Sequence, residues 1–230
     1  MKKIILLPFA IILLFISCTN DESDDIFIPP TEPITEDNIP NECHIIEKDG
    51  LLIIEAENFN LKGNWRTIED DKASGGKYIE YYGANSYNTP NLAHEISVSF
   101  KIDKASNYLV RWYMRQPDES EGDLANDVWI YFPENLGQAY INNSPYILEH
   151  YEKFVSRGQG EFTYGGALDI HEPKSSSWMR VNFPAAGEYT LKICARSQFF
   201  QLDKMVFSIG MTDVEAQEAS KNLTETTTCD

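Results

Sequence analysis

Arginines and aromatic residues alternate with apolar residues in several segments of this chain, a pattern suited to binding an anionic sugar polymer. In a half-buried strand, successive side chains point to opposite faces, so the residues between the apolar ones share the outer face. The residues that this pattern places there are Arg111, Tyr113 and Arg115; Trp129 and Tyr131; Trp178, Arg180 and Asn182; and Cys194 and Arg196. Since arginine forks match carboxylates and sulfates bidentately, one shared sheet would present a surface for an acidic polysaccharide, uronate-containing or sulfated.

The chain's own acids offer an alternative for these arginines. Acidic residues outnumber basic ones by 36 to 19, so Asp and Glu side chains could neutralise the guanidinium groups. The same alternation predicts that Cys194 lies on the outer face, more exposed than a core thiol and reactive if unpaired.

The N-terminus has the order of an export signal. Lys2 and Lys3 precede an apolar run over residues 4–16, and Cys18 follows. The run is too short to cross a bilayer as a retained helix, which predicts a cleaved signal peptide. Residues 15–18 resemble a bacterial lipobox, although phenylalanine replaces the usual leucine. The resemblance implies that Cys18 is acylated and anchors the protein to a membrane; an ordinary signal with a chance cysteine is the alternative.

Composition divides the rest of the chain. Without the signal peptide, residues 1–17, the chain has 17 basic and 36 acidic residues, a formal charge of −19. This charge disfavours nucleic acid, whose phosphates would be repelled. Residues 18–43 hold few large apolar groups and are predicted to be an acidic disordered tether. Residues 19–25 resemble the acidic export tag of Bacteroidetes surface lipoproteins, which implies an outer-membrane lipoprotein exposed at the cell surface; a solvated linker is the alternative.

Residues 44–210 alternate with a period of two, which predicts strands. Strands are expected at Leu51–Glu57, Lys77–Tyr82, Ala93–Ile102, 108–114, Asn126–Phe132, Trp178–Phe183, Glu188–Arg196 and Gln201–Ile209. Several short strands separated by turn signals predict an all-β fold, an antiparallel β-sandwich or jelly roll. Residues 135–176 are expected to form long loops with one or two strands, and residues 211–230 a polar, briefly helical tail.

Three cysteines remain once Cys18 is assigned to lipid, and export permits disulfides. Cys43 and Cys229 lie at the two ends of the predicted domain, so a bridge between them would tie those ends together. The pairing of these cysteines cannot be read from sequence, and it stays open here.

Four motifs follow one another along residues 50–210. They are IIEAENF at Ile53–Phe59, SGGKYI at Ser74–Ile79, PAAGEYTL at Pro184–Leu191 and ARSQFFQLDKMVF at Ala195–Phe207. Together they resemble the galactose-binding-like β-sandwiches, above all carbohydrate-binding module family 6 and its relatives. The resemblance implies a galactose-binding-like fold with two sites.

The first implied site holds structural calcium. Glu55 and Glu57 are two residues apart on a predicted strand, so their side chains share a face, and calcium takes carboxylate oxygens. The family also uses an acidic residue near the end of the domain, which here is Asp203 or Asp213. The alternative is a glutamate pair held by hydrogen bonds or by an arginine.

The second implied site binds glycan. Sugars present C–H patches to aromatic rings and hydroxyl groups to polar side chains. By position in the motifs, the aromatic contacts are Tyr78 or Tyr82 and Trp178, and the polar amide is Gln201. A core position is the alternative for Tyr78, whereas Trp178 lies opposite the apolar residues of its strand and is expected to be exposed. The outer-face residues that complete the predicted ligand-binding set are Trp129, Arg180 and Arg196.

The residues that catalysis needs do not form a recognisable set. Sandwich-fold lyases use a tyrosine or histidine base with an arginine, but His44, His94, His150 and His171 are scattered along the chain. No carboxylate pair in an assigned cleft, nucleophile elbow or phosphate loop is recognisable. The expectation is therefore a non-catalytic lipoprotein that binds extracellular polysaccharide. A lyase or other carbohydrate-active enzyme and a structural or adhesive envelope protein are the alternatives.

Overall fold

The computed structural model describes residues 43–117, 122–141, 144–155, 160–170 and 175–229. The predicted signal peptide, the predicted lipidation site Cys18, His171 and all of the predicted tether except Cys43 lie outside these ranges. No helix in the described ranges is long and apolar enough to span a membrane.

The described residues form seventeen strands and one α-helix. The strands are β1 (Cys43–Ile45), β2 (Leu51–Glu55), β3 (Trp65–Glu69), β4 (Lys77–Tyr81), β5 (Ile96–Ile102), β6 (Ser106–Arg115), β7 (Asp127–Tyr131), β8 (Gly137–Ile141), β9 (Ser144–Ile147), β10 (Glu152–Val155), β11 (Thr163–Gly165), β12 (Ala167–Ile170), β13 (Ser175–Ser177), β14 (Met179–Phe183), β15 (Gly187–Ala195), β16 (Gln201–Ser208) and β17 (Thr227–Cys229). The α-helix is α1 (Asp213–Lys221), and short 3-10 helices cover Ala56–Asn58, Ser74–Gly76 and Leu92–His94.

The strands form two large antiparallel sheets that enclose one hydrophobic core, so the protein is an antiparallel β-sandwich, as predicted. The nine-stranded sheet has the order β3-β4-β16-β6-β14-β8-β9, with β2 beside β16 and β11 beside β6. The six-stranded sheet has the order β13-β12-β10-β7-β15-β5, and β1 pairs with β17 separately.

Alternation along the strands builds the core. In β5, Ile96, Val98 and Phe100 are buried while Ser97 and Ser99 are exposed. Burying one such large apolar side chain stabilises the fold by about 2 kcal/mol. The Phe183 ring lies at the centre of an aromatic group that joins both sheets; its neighbours are Phe100, Tyr108, Phe132, Tyr189 and Phe207.

The eight predicted strands are observed, with ends that shift by a few residues. The first ends at Glu55 rather than Glu57 because Ala56–Asn58 turns into a 3-10 helix. The expectation for residues 135–176 was wrong, because six short strands, β8 to β13, lie there. These strands, like the unpredicted β3, are three to five residues long. A segment this short spans too few alternations to show a period on its own.

The C-terminal segment packs on the sandwich. Helix α1 begins with a capping box between Thr212 and Glu215, and Ala216 and Ser220 are buried. Beyond it, β17 pairs with β1 so that Cys229 lies directly opposite Cys43. Opposed residues of antiparallel strands have Cα atoms about 4.5–5.5 Å apart, within the range that a disulfide spans. The register therefore supports the Cys43–Cys229 bridge, which stays a prediction.

Candidate functional site

One residue from each of four adjacent strands forms a polar row across the nine-stranded sheet. Arg66 of β3 lies opposite Glu80 of β4, Glu80 lies opposite Gln201 of β16, and Gln201 lies opposite Arg115 of β6. Residues opposed in this way have Cβ atoms about 5 Å apart, so their side chains reach one another. Asp70, just after β3, extends the line, and we call these five residues the polar row.

Each member of the polar row bonds its neighbour. Arg66 Nε donates to Glu80 Oε1 at 3.0 Å, and Gln201 Nε2 donates to the other oxygen of that carboxylate at 2.9 Å. Arg115 Nε donates to Gln201 Oε1 at 2.8 Å, while Arg115 NH2 pairs with Asp70 Oδ2 at 2.8 Å. A hydrogen bond from the backbone amide of Lys72, together with Arg115, lowers the pKa of Asp70. The row is therefore a charged and positionally locked floor.

A cavity of about 480 Å³ lies over one end of this floor, with Arg66, Glu80 and Gln201 in its wall. Its rim is apolar and accessible: Phe199 is 44% exposed, Tyr87 40% and Leu124 46%. We call it the aromatic cavity. Accessible rings beside fixed hydrogen-bonding groups can stack on the C–H face of a sugar while the polar groups bind its hydroxyls.

Phe199 is held at the rim by its backbone. Its φ of 63° lies in the left-handed region, which costs free energy for a residue other than glycine and persists only where the surroundings enforce it. The Phe199 amide donates to the Tyr81 carbonyl at 2.6 Å, and the Gln198 amide donates to Asn85 Oδ1 at 2.7 Å. These bonds tie the loop before β16 to β4 and the loop after it, and they hold the backbone of Phe199 in place.

Tyr87 is supported from the six-stranded sheet. The guanidinium carbon of Arg196 lies 5.0 Å from the Tyr87 ring centroid and 4.9 Å from that of Trp129. Trp129 Nε1 donates to the Ser86 carbonyl at 2.8 Å. The structure thus places Trp129 and Arg196, two of the predicted ligand residues, where they position the loop that carries Tyr87.

A second cavity of about 290 Å³ adjoins the first, since Pro117 and Gln201 line both. Its other lining residues include Asp70, Lys72, Arg115 and Gln116, so we call it the polar cavity. Lys72 Nζ pairs with Glu161 Oε1 at 2.9 Å.

Of the remaining predicted ligand residues, Gln201 lies at the cavities, Tyr82 and Tyr78 contact residues of the polar row, and Trp178 and Arg180 lie elsewhere. Gln201 lines both cavities, and Tyr82 is 43% exposed with Arg66 over its ring. Tyr78 is buried and packs between Arg115 and Phe162, in keeping with the core alternative.

Trp178 and Arg180 lie away from both cavities, on the outer face of the nine-stranded sheet. Trp178 is 58% exposed, which confirms its predicted exposure, and the Arg111 guanidinium carbon lies 4.0 Å from its ring centroid. Arg180 is half-buried on the same face, two residues along.

The prediction of a single arginine–aromatic surface was wrong. Strands β6 and β14 lie in the nine-stranded sheet, whereas β7 and β15 lie in the six-stranded sheet, so the predicted surface is divided between two outer faces. The chain's own acids pair with three of the four arginines of the predicted surface, as the alternative held; the pairs are Arg111–Asp213, Arg115–Asp70 and Arg196–Asp127.

The prediction that Cys194 is exposed and reactive was also wrong. The residue is fully buried, its thiol donates to the Asn91 carbonyl at 2.9 Å, and burial raises its pKa to about 12. The loop that includes Asn91 covers the outer side of β15 at this point, which alternation within β15 could not reveal.

A second polar group, the acidic cluster of Glu55, Glu57 and Asp203, surrounds the turn at Ser74. Glu55 Oε1 accepts from Ser74 Oγ at 2.6 Å, and Asp203 Oδ1 accepts from the Ser74 amide at 2.9 Å. Burial, reinforced by repulsion between the carboxylates, raises the pKa of Glu55 to about 7 and that of Asp203 to about 8. Burial also raises the pKa of Glu57.

The donor chemistry of the acidic cluster fits a hard divalent cation. Oε2 of Glu55 and Oε2 of Glu57 are buried and accept no hydrogen bond from the described residues. The neighbouring Lys204 Nζ donates instead to Ser74 Oγ and to the carbonyls of Ser220 and Leu223. As they stand, no three Asp, Glu, His or Cys side chains in the described ranges form a metal-binding group. An ion would therefore have to draw the cluster together.

Of the two candidates for the further acid, Asp203 lies in the cluster and Asp213 pairs with Arg111. Glu225, which the sequence did not suggest, also approaches: its Oε2 accepts from the Glu55 amide and its Oε1 from Asn58 Nδ2, both at 3.2 Å. Glu225 comes from the polar tail, where no pattern marks it.

No protein-family model matches the chain, and no curated protein sequence matches it. Solved structures that are similar in fold include the family 35 carbohydrate-binding module from Clostridium thermocellum, with 18% identity, a TM-score of 0.43, and coverage of 68% of this chain and 98% of that one. The C-terminal CBM6 of LamC, a marine laminarinase from Zobellia galactanivorans, has 14% identity, a TM-score of 0.39, and coverage of 69% and 99%. A GH26-CBM35 β-(1,4)-mannanase from Podospora anserina has 12% identity and a TM-score of 0.44; this chain aligns over 72% of its own length and spans 29% of that enzyme.

Proposed function

We propose that this protein binds glycan without cleaving it, in the aromatic cavity. The observation that supports this proposal is the pairing of accessible rings, Phe199 and Tyr87, with the locked hydrogen-bonding floor at Glu80 and Gln201. Stacking costs less conformational free energy when the backbone that carries the ring is already held in place. The loop contacts of Phe199 and Tyr87 hold both backbones in this way.

The experiment is affinity electrophoresis of the whole chain in a detergent that has no sugar headgroup. The gels contain β-1,4-mannan, β-1,3-galactan, β-1,3-glucan, dextran, polygalacturonate or a sulfated glycan. We expect retardation by at least one of them and release of no unsaturated or reducing product. Product release would support the lyase or other enzyme alternative. A protein that is neither retarded nor active would support the structural or adhesive alternative.

The Phe199→Ala variant tests whether the aromatic cavity is the site. Loss of the stacked ring should reduce the binding free energy by about 2 kcal/mol, which weakens binding about thirtyfold. Val214→Ala is the matched control, because Val214 is also an exposed apolar residue but lies on α1. Equal affinity of the Phe199 variant and the control would remove the proposal.

We further propose that acylated Cys18 anchors this domain at the outer membrane, exposed at the cell surface. A binder needs no chemistry of its own if its anchor keeps the captured polymer at the cell. Incorporation of labelled palmitate that Cys18→Ala abolishes, together with protease sensitivity on intact cells, tests the anchor and the exposure separately.

We also propose structural calcium at Glu55, Glu57 and Asp203, where buried, unpartnered carboxylate oxygens support it. Acidic-polysaccharide specificity does not enter the proposal, since Arg111, Arg115 and Arg196 already pair with the chain's own carboxylates.

A further inference from the structure

We propose that the site binds a linear, uncharged oligosaccharide lengthwise, with successive sugars in the aromatic cavity and then in the polar cavity. This inference rests on the proposed function and adds the chain length and charge class of the ligand. The two cavities are contiguous because Gln201 and Pro117 line both.

The polar row is long enough to contact more than one sugar. The polar row crosses four strands, and three inter-strand gaps of about 4.8 Å make it roughly 14 Å long, longer than one pyranose ring. Its hydrogen bonds run without a break from Arg66 to Asp70, so both cavities share one rigid base. A ligand confined to the aromatic cavity would leave half of that base unused.

The charge balance of the groove favours an uncharged ligand. Within the described part of the chain, its cationic side chains are each paired with a carboxylate; the pairs are Arg66–Glu80, Arg115–Asp70 and Lys72–Glu161. At Arg66 or Arg115, a uronate or sulfate would compete with the carboxylate that is already bound there. Glu80 is only 6% exposed, and a buried carboxylate that loses its partner is strongly destabilising. Hydroxyl groups can bond to such pairs without separating them.

The polar cavity is lined by hydrogen-bond donors and acceptors. Arg115 and Lys72 offer donors, Asp70 offers acceptors and Gln116 belongs to the same lining. An exposed ring is missing from its described lining residues, in contrast to the aromatic cavity. We therefore assign stacking to the aromatic cavity and hydroxyl recognition of the following sugar to the polar cavity.

The test is calorimetric titration of the whole chain with oligosaccharides of one to six units, made from whichever glycan retards it, and with oligogalacturonates. We expect affinity to rise at least tenfold between the monosaccharide and the tetrasaccharide, and uncharged oligomers to bind more tightly than galacturonates. Lys72→Gln should weaken tetrasaccharide binding roughly fivefold and leave monosaccharide binding unchanged. Lys104→Gln, an exposed lysine in the turn between β5 and β6, is the matched control.

Equal affinity at every length, an equal effect of Lys72→Gln at every length, or preference for galacturonates would overturn this inference while leaving glycan binding intact. Absence of binding to every glycan would overturn the proposed function, and the inference with it. Loss of affinity in Phe199→Ala at every length, monosaccharide included, is expected in either case, because its ring serves the aromatic cavity.

Discussion

Two polar groups of side chains meet on β16 and differ in how their charges are balanced. In the polar row, each guanidinium has a carboxylate partner, and Gln201 links the two pairs. Two residues along, the acidic cluster contains Asp203 with Glu55 and Glu57, and one buried oxygen of each glutamate accepts no hydrogen bond from the part of the chain that the structure describes. A register shift between Leu202 and Lys204 separates the two groups.

This difference in charge balance indicates which ligand suits the polar row and which suits the acidic cluster. A balanced, hydrogen-bonded network is complete before the ligand arrives, so it can bind neutral hydroxyl groups without rearrangement. In the acidic cluster, burial and then repulsion between the carboxylates raise the pKa values of Glu55 and Asp203, and the neighbouring Lys204 ammonium only partly offsets this rise. The first group therefore suits a sugar, and the second suits a cation.

The largest expected effect comes from the bridge that would hold Glu225 near the acidic cluster. Cys43→Ala should lower the free energy of unfolding by about 4 kcal/mol, because the cross-link closes nearly the whole domain into a loop. Denaturant titration measures it, and dithiothreitol should produce the same loss in the wild type but none in the variant. Glycan affinity should not change, since the polar row lies on other strands. Equal stability of the two proteins without reductant would contradict the bridge.

Calcium should act on the acidic cluster alone. At a free concentration one hundred times its dissociation constant, calcium adds about 2.7 kcal/mol, which raises the melting temperature by about 5–10 °C for a domain of this size. Glu55→Gln with Glu57→Gln should abolish the rise. Glu188→Gln with Glu218→Gln, two exposed glutamates elsewhere, should retain it. A calcium-independent melting curve of the wild type would show that the cluster needs no ion.

Unbalancing the polar row should change ligand class. Glu80→Gln leaves Arg66 without its carboxylate, so we expect uncharged oligosaccharides to bind roughly fivefold more weakly and oligogalacturonates to gain measurable affinity. Glu69→Gln on β3 is the control, because Glu69 is exposed and outside both cavities. Parallel losses for both ligand classes would indicate damage to the floor rather than a change of charge.

The smallest expected effect is that of salt. Because the proposed ligand is uncharged, its affinity should change by less than about twofold between 50 and 500 mM sodium chloride. Titration of the wild type measures this directly. Salt sensitivity should appear only when Glu80→Gln binds oligogalacturonates, and a steep salt dependence in the wild type would contradict the neutral ligand.

Much of the fold was predictable because apolar alternation is local. The eight predicted strands are observed, and the exposure of Trp178 followed from its apolar neighbours in β14. The segments that escaped prediction, β1, β3, β8 to β13 and β17, are three to five residues long. Their strand state depends on pairing with neighbours, and this contribution is absent from any single segment.

The candidate site was predicted only in part. Gln201 was selected by motif and lies at the centre of the groove, whereas Arg66, Tyr87 and Phe199 were missed. Phe199 stands inside a recognised motif, but its exposure depends on a left-handed backbone that only the surrounding loops enforce. Its position as one of two adjacent phenylalanines before a buried strand was the only available signal.

The sequence by itself determined that this chain forms an all-β domain, because alternation with a period of two requires only neighbours along the strand. Its placement of Glu55 and Glu57 on one face of a single strand was wrong, because the strand ends at Glu55 and Ala56–Asn58 forms a 3-10 helix. The tertiary structure alone decided which strands share a sheet, and thereby divided the predicted arginine surface and assembled the polar row instead. Glu80 and Gln201 are 121 positions apart, and strand order rather than sequence pattern brings them into contact. The physical reason is that alternation assigns a side chain to a face, while pairing assigns its neighbours.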